Sequence, residues 1–387
     1  MKFLRSERYA ALLLIAAAAL GLILANSPWG ATLQAVRDAH PLSVWPGADL
    51  SLGHWVTDGL LAVFFFLAAI ELRHELSHGA LNSPRRALVP ALAAVGGVIV
   101  PALIFLGLVR EPGLASGWPI PTATDIAFAL GVLALVGRGL PARIRALLLG
   151  VAVIDDLIAI LIIALFFTTD LQAIPMLVAV PLVLIFGWLS RRVKRKGSGA
   201  LIAVLIVIGV AVWVLVHVSG IHATVAGVAL GLSMGNSSGA KARRALEPWS
   251  NGIILPLFAF VAALVVLPNV PIGQLSPVFW AILVALPVGK LVGITGGALV
   301  ARQLSPRGKR NSTLPLGDIL MVSALGGVGF TVSLLMNELA YRPAPEVAVE
   351  GTLAVLAASV IAGIVGVIFT AVRSRHYGRL SRPKNKK

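Results

Sequence analysis

The 387-residue chain contains no cysteine, which excludes a disulfide framework and any thiolate metal site. Charge is also scarce. Asp, Glu, Lys and Arg make up 12% of the residues, where a soluble protein carries about a quarter. With 58% of the residues hydrophobic, a water-soluble enzyme or binding domain is excluded. Acids are scarcest, 16 against 32 Lys and Arg, leaving a net charge of +16. No linker or low-complexity stretch divides the chain, which predicts one membrane domain over residues 1–387.

What fills the chain is apolar. The mean hydropathy is +0.93, and apolar runs of about 18 or more residues recur from end to end. The pattern predicts an all-α polytopic membrane protein with about twelve spans, at residues 9–25, 53–72, 88–109, 119–137, 146–168, 174–190, 200–218, 221–234, 249–267, 276–300, 315–336 and 349–372. The eighth is short for a perpendicular helix.

The basic surplus follows this topology. With the N-terminus taken as cytoplasmic, 28 of the 32 Lys and Arg fall on the cytoplasmic side, including the tail 373–387. Arg37, Arg110 and Arg342 fall outside, and Lys290 falls within a span. The positive-inside rule is thus met at every cytoplasmic loop, which supports cytoplasmic termini and argues against nucleic acid as a partner. The opening MKFLRSERYAALLLIAAAALGLILANS lacks an A-x-A-like cleavage site, so a retained first helix is expected rather than a signal peptide. In the external connection 26–52, LSVWPGADLSL suggests a small β-hairpin around Pro46-Gly47, with an irregular loop as the open alternative. A homodimer formed through this hairpin is one expected assembly.

Two spans look broken. In span four, WPIPTATDIAFALG places Pro119 and Pro121 before Asp125; in span eleven, SALGGVGFTVSLL carries Gly326, Gly327 and Gly329. Interrupted spans at matching places in two repeats point to a transport site at the midplane. Spans four and eleven cross in opposite directions, so spans 3–5 and 10–12 would be inverted repeats. Pro and Gly also serve as ordinary packing residues in membrane helices.

The acids that remain are conspicuous. Asp155 and Asp156 stand in GVAVIDDLIAILIIALFF, about 16 Å of helix from Arg145, near the bilayer centre. Charge there costs about 2.5–3.5 kcal/mol on insertion scales, so its retention points to function. Two adjacent carboxylates do not both ionise readily, and their oxygens suit a small cation, so one site can exchange protons for a metal ion. Asp125 follows Thr124 where span four restarts, and favours a helix N-terminus. Lys290 lies too deep to reach the interface easily and should pair with a carboxylate or with helix C-terminal carbonyls.

The stretches PTATDIAFALGVLALVG, AVIDDLIAILIIALFF, PVGKLVGI and LGGVGFTVSLLM resemble those of the NhaA-type sodium/proton antiporters, as do TDGLLAVFFFLAAIELRHEL, SGIHATVAGVALG and PWSNGIILPLFAF. The match runs in order along nearly the whole chain. This family is itself a standard example of inverted repeats, so the repeat argument and the resemblance are not independent. The resemblance implies an electrogenic Na⁺(Li⁺)/H⁺ antiporter of a bacterial inner membrane, serving pH and sodium homeostasis, with no cofactor. Asp156 would be a principal Na⁺ ligand and proton carrier. Asp155 would either join the ion site or bridge to Lys290, and Thr124 would lend an oxygen. Asp125 and Lys290 would balance the facing N- and C-termini of the broken spans. Asp58 would be a supporting acid, and Glu71 would line a cytoplasmic funnel.

Departures fall where the family responds to pH. ELRHE places His74 where Arg is usual, and KARRALEPW carries Arg243, Arg244 and Glu247 where relatives have acidic and histidine residues. His222 matches the family. A rival reading, an intramembrane aspartyl protease, has one echo, Gly317-Asp318 in LPLGDIL. A proton-coupled organic-anion carrier would need more deep cations than Lys290.

Overall fold

The computed structural model describes residues 7–41, 49–79, 81–168, 171–193, 199–268, 271–304 and 314–380. Every regular element among the described residues is helical. Among the described residues ten helices are long and apolar enough to cross a membrane, and a bent pair, Leu316–Gly326 and Phe330–Ala340, kinked by 46°, makes an eleventh if counted as one span. The short apolar helix Thr224–Ser233 takes the place of the short eighth span. The chain is a multi-pass membrane protein.

Helix ends shift from expectation by several residues at many spans, and the two largest shifts have a physical reason. The ninth crossing begins at Asn236, because the polar helix Asn236–Trp249 runs through a π-helical turn, Ser250–Ile254, into the apolar helix Leu255–Ala262. The last helix, Pro345–Leu380, continues eight residues into the basic tail. In the 26–52 connection, Gly30–Asp38 is helical. The expected hairpin turn, within residues 42–48, lies outside the described residues.

Helices are labelled α1 (Glu7–Ala25), α2 (Gly30–Asp38), α3 (Leu52–His54), α4 (Leu61–Ser77), α5 (Pro84–Leu108), α6 (Ile126–Val136), α7 (Ala142–Phe166), α8 (Ala173–Ser190), α9 (Gly199–Val218), α10 (Thr224–Ser233), α11 (Asn236–Trp249), α12 (Leu255–Ala262), α13 (Pro277–Val284), α14 (Lys290–Leu304), α15 (Leu316–Gly326), α16 (Phe330–Ala340) and α17 (Pro345–Leu380). They form two compact units. One is built mainly from Leu13–Gly79 and Ile160–Val266, the other from Ser6–Leu12, Ala80–Ala159 and Leu267–Lys387.

In the first unit α4 packs along α10 at backbone distance. A Cβ on Gly227 would lie 2.0 Å from the Ala62 carbonyl oxygen, so only glycine permits the approach. Close packing of this kind substitutes for the hydrophobic effect, which cannot drive association in lipid. α8 and α9 present Ile174, Leu177, Leu184, Ile206 and Val207 outward, an apolar face suited to acyl chains.

In the second unit α5 and α14 meet in the same way. A Cβ on Gly293 would lie 2.2 Å from the Gly96 oxygen, and one on Gly96 would lie 2.2 Å from the Gly293 oxygen. This contact fixes the start of α14, and therefore Lys290, just after the π-helical turn Ala285–Gly289. α17 packs against α6, α13, α15 and α16, and so backs both interrupted spans.

Candidate functional site

The two interrupted spans meet at their breaks. Pro119 and Pro121 allow only a 3₁₀ turn, Ile120–Thr122, and residues 123–125 are non-helical before α6 begins. In the partner span α15 ends at Gly326 and α16 starts at Phe330. The breaks are stitched together by side chains and backbone. The Asp125 N–H donates to the Val328 carbonyl at 2.6 Å, and the Ser333 hydroxyl donates to the Ile120 carbonyl at 2.7 Å.

Asp125 caps both restarting helices. One carboxylate oxygen accepts from the Phe128 N–H at 2.9 Å, in the first turn of α6. The other accepts from the N–H and the hydroxyl of Thr331, at 3.3 and 3.0 Å, in the first turn of α16. Each N-terminus carries roughly half a positive charge, so one buried carboxylate meets about one unit. Asp125 is only 2% exposed, and these donors stand in for the water it lacks.

Asp155 and Asp156 lie on α7, both buried. Asp155 Oδ2 binds the ammonium of Lys290 in an ion pair with no solvent exposure, and also accepts from the Thr124 hydroxyl at 2.5 Å. Thr124 Oγ1 is also 2.9 Å from the Gly326 carbonyl, where α15 ends. One hydroxyl proton cannot serve both acceptors fully. The nearer carboxylate takes it, which leaves the Gly326 oxygen, Thr124 Oγ1 lone pairs and the Asp155 carboxylate as neighbouring oxygen donors. Asp125, Thr124, Asp155 and Lys290, named from sequence, are thus brought together, with Asp156 beside them on α7.

The remaining named residues lie in the first unit, in two groups. Asp58 sits buried in a π-helical turn, Trp55–Leu60, with its backbone carbonyl accepting from Trp213 Nε1 at 3.1 Å. His222 Nε2 is 3.2 Å from Asp58 Oδ1, outside hydrogen-bond alignment, while His222 Nδ1 is 2.8 Å from the Thr224 hydroxyl. At the end of α4, Glu71 is 3.1 Å from the Arg243 guanidinium, which lies 3.7 Å from Glu247. A cavity of about 360 Å³ opens there, lined by Arg73, His74, Arg243, Arg244 and Glu247 among others. His74 is exposed and stacks on His78 with ring centres 5.8 Å apart.

Sequence reading overlooked Thr331, Gly326 as an oxygen donor, and the partnership of Arg243 with Glu71. Thr331 was findable, since a hydroxyl two residues after Gly329 sits where a restarting helix exposes its N–H groups.

Interrupted helices meeting at a buried, charged crossing define the architecture of a secondary transporter. Residues 1–370 match the family model of Na⁺/H⁺ antiporter 1, and the chain belongs to that family, one of the standard examples of the architecture. It is 53% identical over 379 residues to Na(+)/H(+) antiporter NhaA 2 of Clavibacter michiganensis, covering 97% of this chain and 93% of that protein. The antiporters named NhaA of Tropheryma whipplei (44% identity, 95% and 94% covered) and Thermobifida fusca (42%, 98% and 95%) are similar along their length.

Proposed function

We propose that the protein exchanges Na⁺ or Li⁺ for H⁺ by alternating access around Asp155 and Asp156, and that it is not an enzyme. The carrying observation is the buried oxygen cluster of Asp155, Thr124 and the Gly326 carbonyl at the crossing of two broken helices, with Asp156 beside Asp155 on α7. The names of the relatives support the exchange of Na⁺ for H⁺.

In this reading Asp156 is the principal ligand and proton carrier. A cation approaching Asp155 must compete with Lys290 for its Oδ2, because the ammonium already holds that oxygen. Loading the cation displaces the protons that the Asp155 and Asp156 carboxylates otherwise take up. If both leave, two protons exchange for one cation and a net charge crosses the membrane. The exchange is then electrogenic, and the membrane potential can drive sodium export for pH and sodium homeostasis. The excess of Lys and Arg in alternate loops supports an inner-membrane protein of a bacterium with both termini in the cytoplasm. Asp125 balances the two N-termini it caps, Lys290 offsets the C-terminal ends, Asp58 is a supporting acid, and Glu71 lines a cytoplasmic funnel.

The test is recovery of ΔpH-quenched fluorescence in everted vesicles from a host lacking its own antiporters. Na⁺ and Li⁺ should each collapse the gradient and K⁺ should not. An unchanged gradient with all three would overturn the reading.

A further inference from the structure

Asp318 is a buried acid with no part in the exchange just described. It lies in the first turn of α15 with no solvent exposure. Its Oδ1 accepts from Arg373 Nε at 2.8 Å and from a terminal guanidinium nitrogen at 2.7 Å, and its Oδ2 accepts from the Tyr377 hydroxyl at 2.7 Å. Both oxygens are engaged, so the carboxylate is occupied by its own chain and does not supply a protease dyad. The guanidinium lies so close to α15 that a Cβ on Gly317 would come within 3.1 Å of it.

Arg373 and Tyr377 are four apart on α17 and share a face. Between them, the Ser374 hydroxyl donates to the Arg138 carbonyl at 2.7 Å, just past the end of α6. The same end of α6 receives Arg8 Nε on the Ala134 carbonyl at 2.8 Å. One five-residue stretch of α17 therefore grips the outer end of α15 and the outer end of α6, the two helices whose inner ends meet at the candidate site. Asp318 is eight residues from Gly326, about 12 Å along a helix, so fixing one end sets the axial position of the other.

We infer that Arg373, Ser374, Tyr377 and Asp318 are positioning residues, a strap that holds the Gly326 carbonyl and the start of α6 in register with Thr124 and Asp155. This rests on the antiport reading for its functional consequence but not for its mechanical one. The strap lies in the C-terminal extension beyond the apolar part of α17, so that extension contributes to the site it never touches.

The test uses the full chain purified into proteoliposomes, with Asp318→Asn, Arg373→Gln, Arg373→Lys, Ser374→Ala and Tyr377→Phe. Apparent KM for Na⁺ should rise about threefold for the single-bond variants, the scale of one lost hydrogen bond, and further for Arg373→Gln. Arg373→Lys should recover part of that loss. A residue that merely stabilised the fold would lower the active fraction, and hence the maximal rate, and leave KM alone. Hydrogen exchange on the same samples should quicken at amides 316–326 and 134–138. Unchanged KM in Ser374→Ala, Tyr377→Phe and both Arg373 variants would overturn the proposal, as would unaltered exchange at those amides. If the wild type moves no protons with Na⁺, the antiport reading fails, and the exchange measurement alone decides the strap.

Discussion

Asp125 accepts two hydrogen bonds from a single residue of the other broken span, the N–H and the hydroxyl of Thr331. A carboxylate held this way is the N-cap of α6 and also accepts from the first turn of α16, a helix from a different part of the chain. Losing an N-cap costs about 0.5–2 kcal/mol, and here the bonds to Thr331 are lost with it, together with the charge that opposes both dipoles. Asp125→Ala should therefore lower the melting temperature and shift apparent Na⁺ affinity without erasing exchange. Asp125→Glu should retain more activity, and Thr331→Val, which keeps the N–H, should be milder than either. Wild-type stability in Asp125→Ala with complete loss of transport would place Asp125 in the ion path instead.

Asp155 and Lys290 should behave as one unit. Breaking a buried pair from one side strands a charge and costs about 3–5 kcal/mol, whereas removing both partners is far milder. Asp155→Asn and Lys290→Met should each destabilise strongly, and the double variant should recover much of the loss while still failing to exchange normally. Additive losses in a thermal-melt cycle would show that the two do not rely on each other.

Asp156→Asn should leave the protein folded, since the amide is nearly isosteric, and should abolish Na⁺- and Li⁺-driven proton movement. Normal antiport in this variant would end the proposed mechanism.

Much of this was legible in the sequence. Hydropathy and loop charge placed the crossings, and the Pro and Gly clusters marked both breaks. Paired acids and a lone lysine in apolar runs pointed to the cluster proposed as the site. What could not be read were contacts between distant segments. Nothing local says that Thr331 serves Asp125, or that Arg373 reaches back to Asp318, because those bonds depend on how helices pack. The choice left open for Asp155 was of the same kind. Whether it faces an ion path or Lys290 depends on the Gly96–Gly293 approach that sets where α14 begins. The helical character of 30–38 was hidden by its position between spans, where amphipathic helix and loop have similar composition.

Na⁺ and H⁺ should compete. Protonation removes the negative charge that the cation needs, so apparent Na⁺ affinity should weaken as pH falls. At the acidic end it should drop about tenfold per pH unit for each competing proton. An affinity that stays flat from about pH 6 to 9 would indicate separate sites for the two ions.

The last prediction concerns the cavity at the end of α4. Arg243 lies 3.1 Å from Glu71 and 3.7 Å from Glu247, so a guanidinium bridges two acids of the proposed funnel. Arginine keeps its charge at all relevant pH values, and carboxylates ordinarily titrate near 4.3. The bridge thus puts a guanidinium where relatives carry acidic and histidine residues, and histidine is the side chain whose ordinary value, near 6.5, lies in the physiological range. It also spends the negative charge of Glu71 on a fixed partner, so the funnel concentrates cations less than an acidic one. Activation by pH should accordingly be weaker or shifted to the alkaline side. Arg243→Glu with Arg244→His removes the bridge and adds a titrating group, and should steepen the profile and move its midpoint toward neutral pH. Arg243→Gln, which frees both acids without adding a histidine, should raise activity at low Na⁺ and leave the steepness unchanged. Initial rates against pH at limiting and saturating Na⁺ separate these effects. Superimposable profiles for all three proteins would show that the Glu71–Arg243–Glu247 bridge takes no part in setting the pH response.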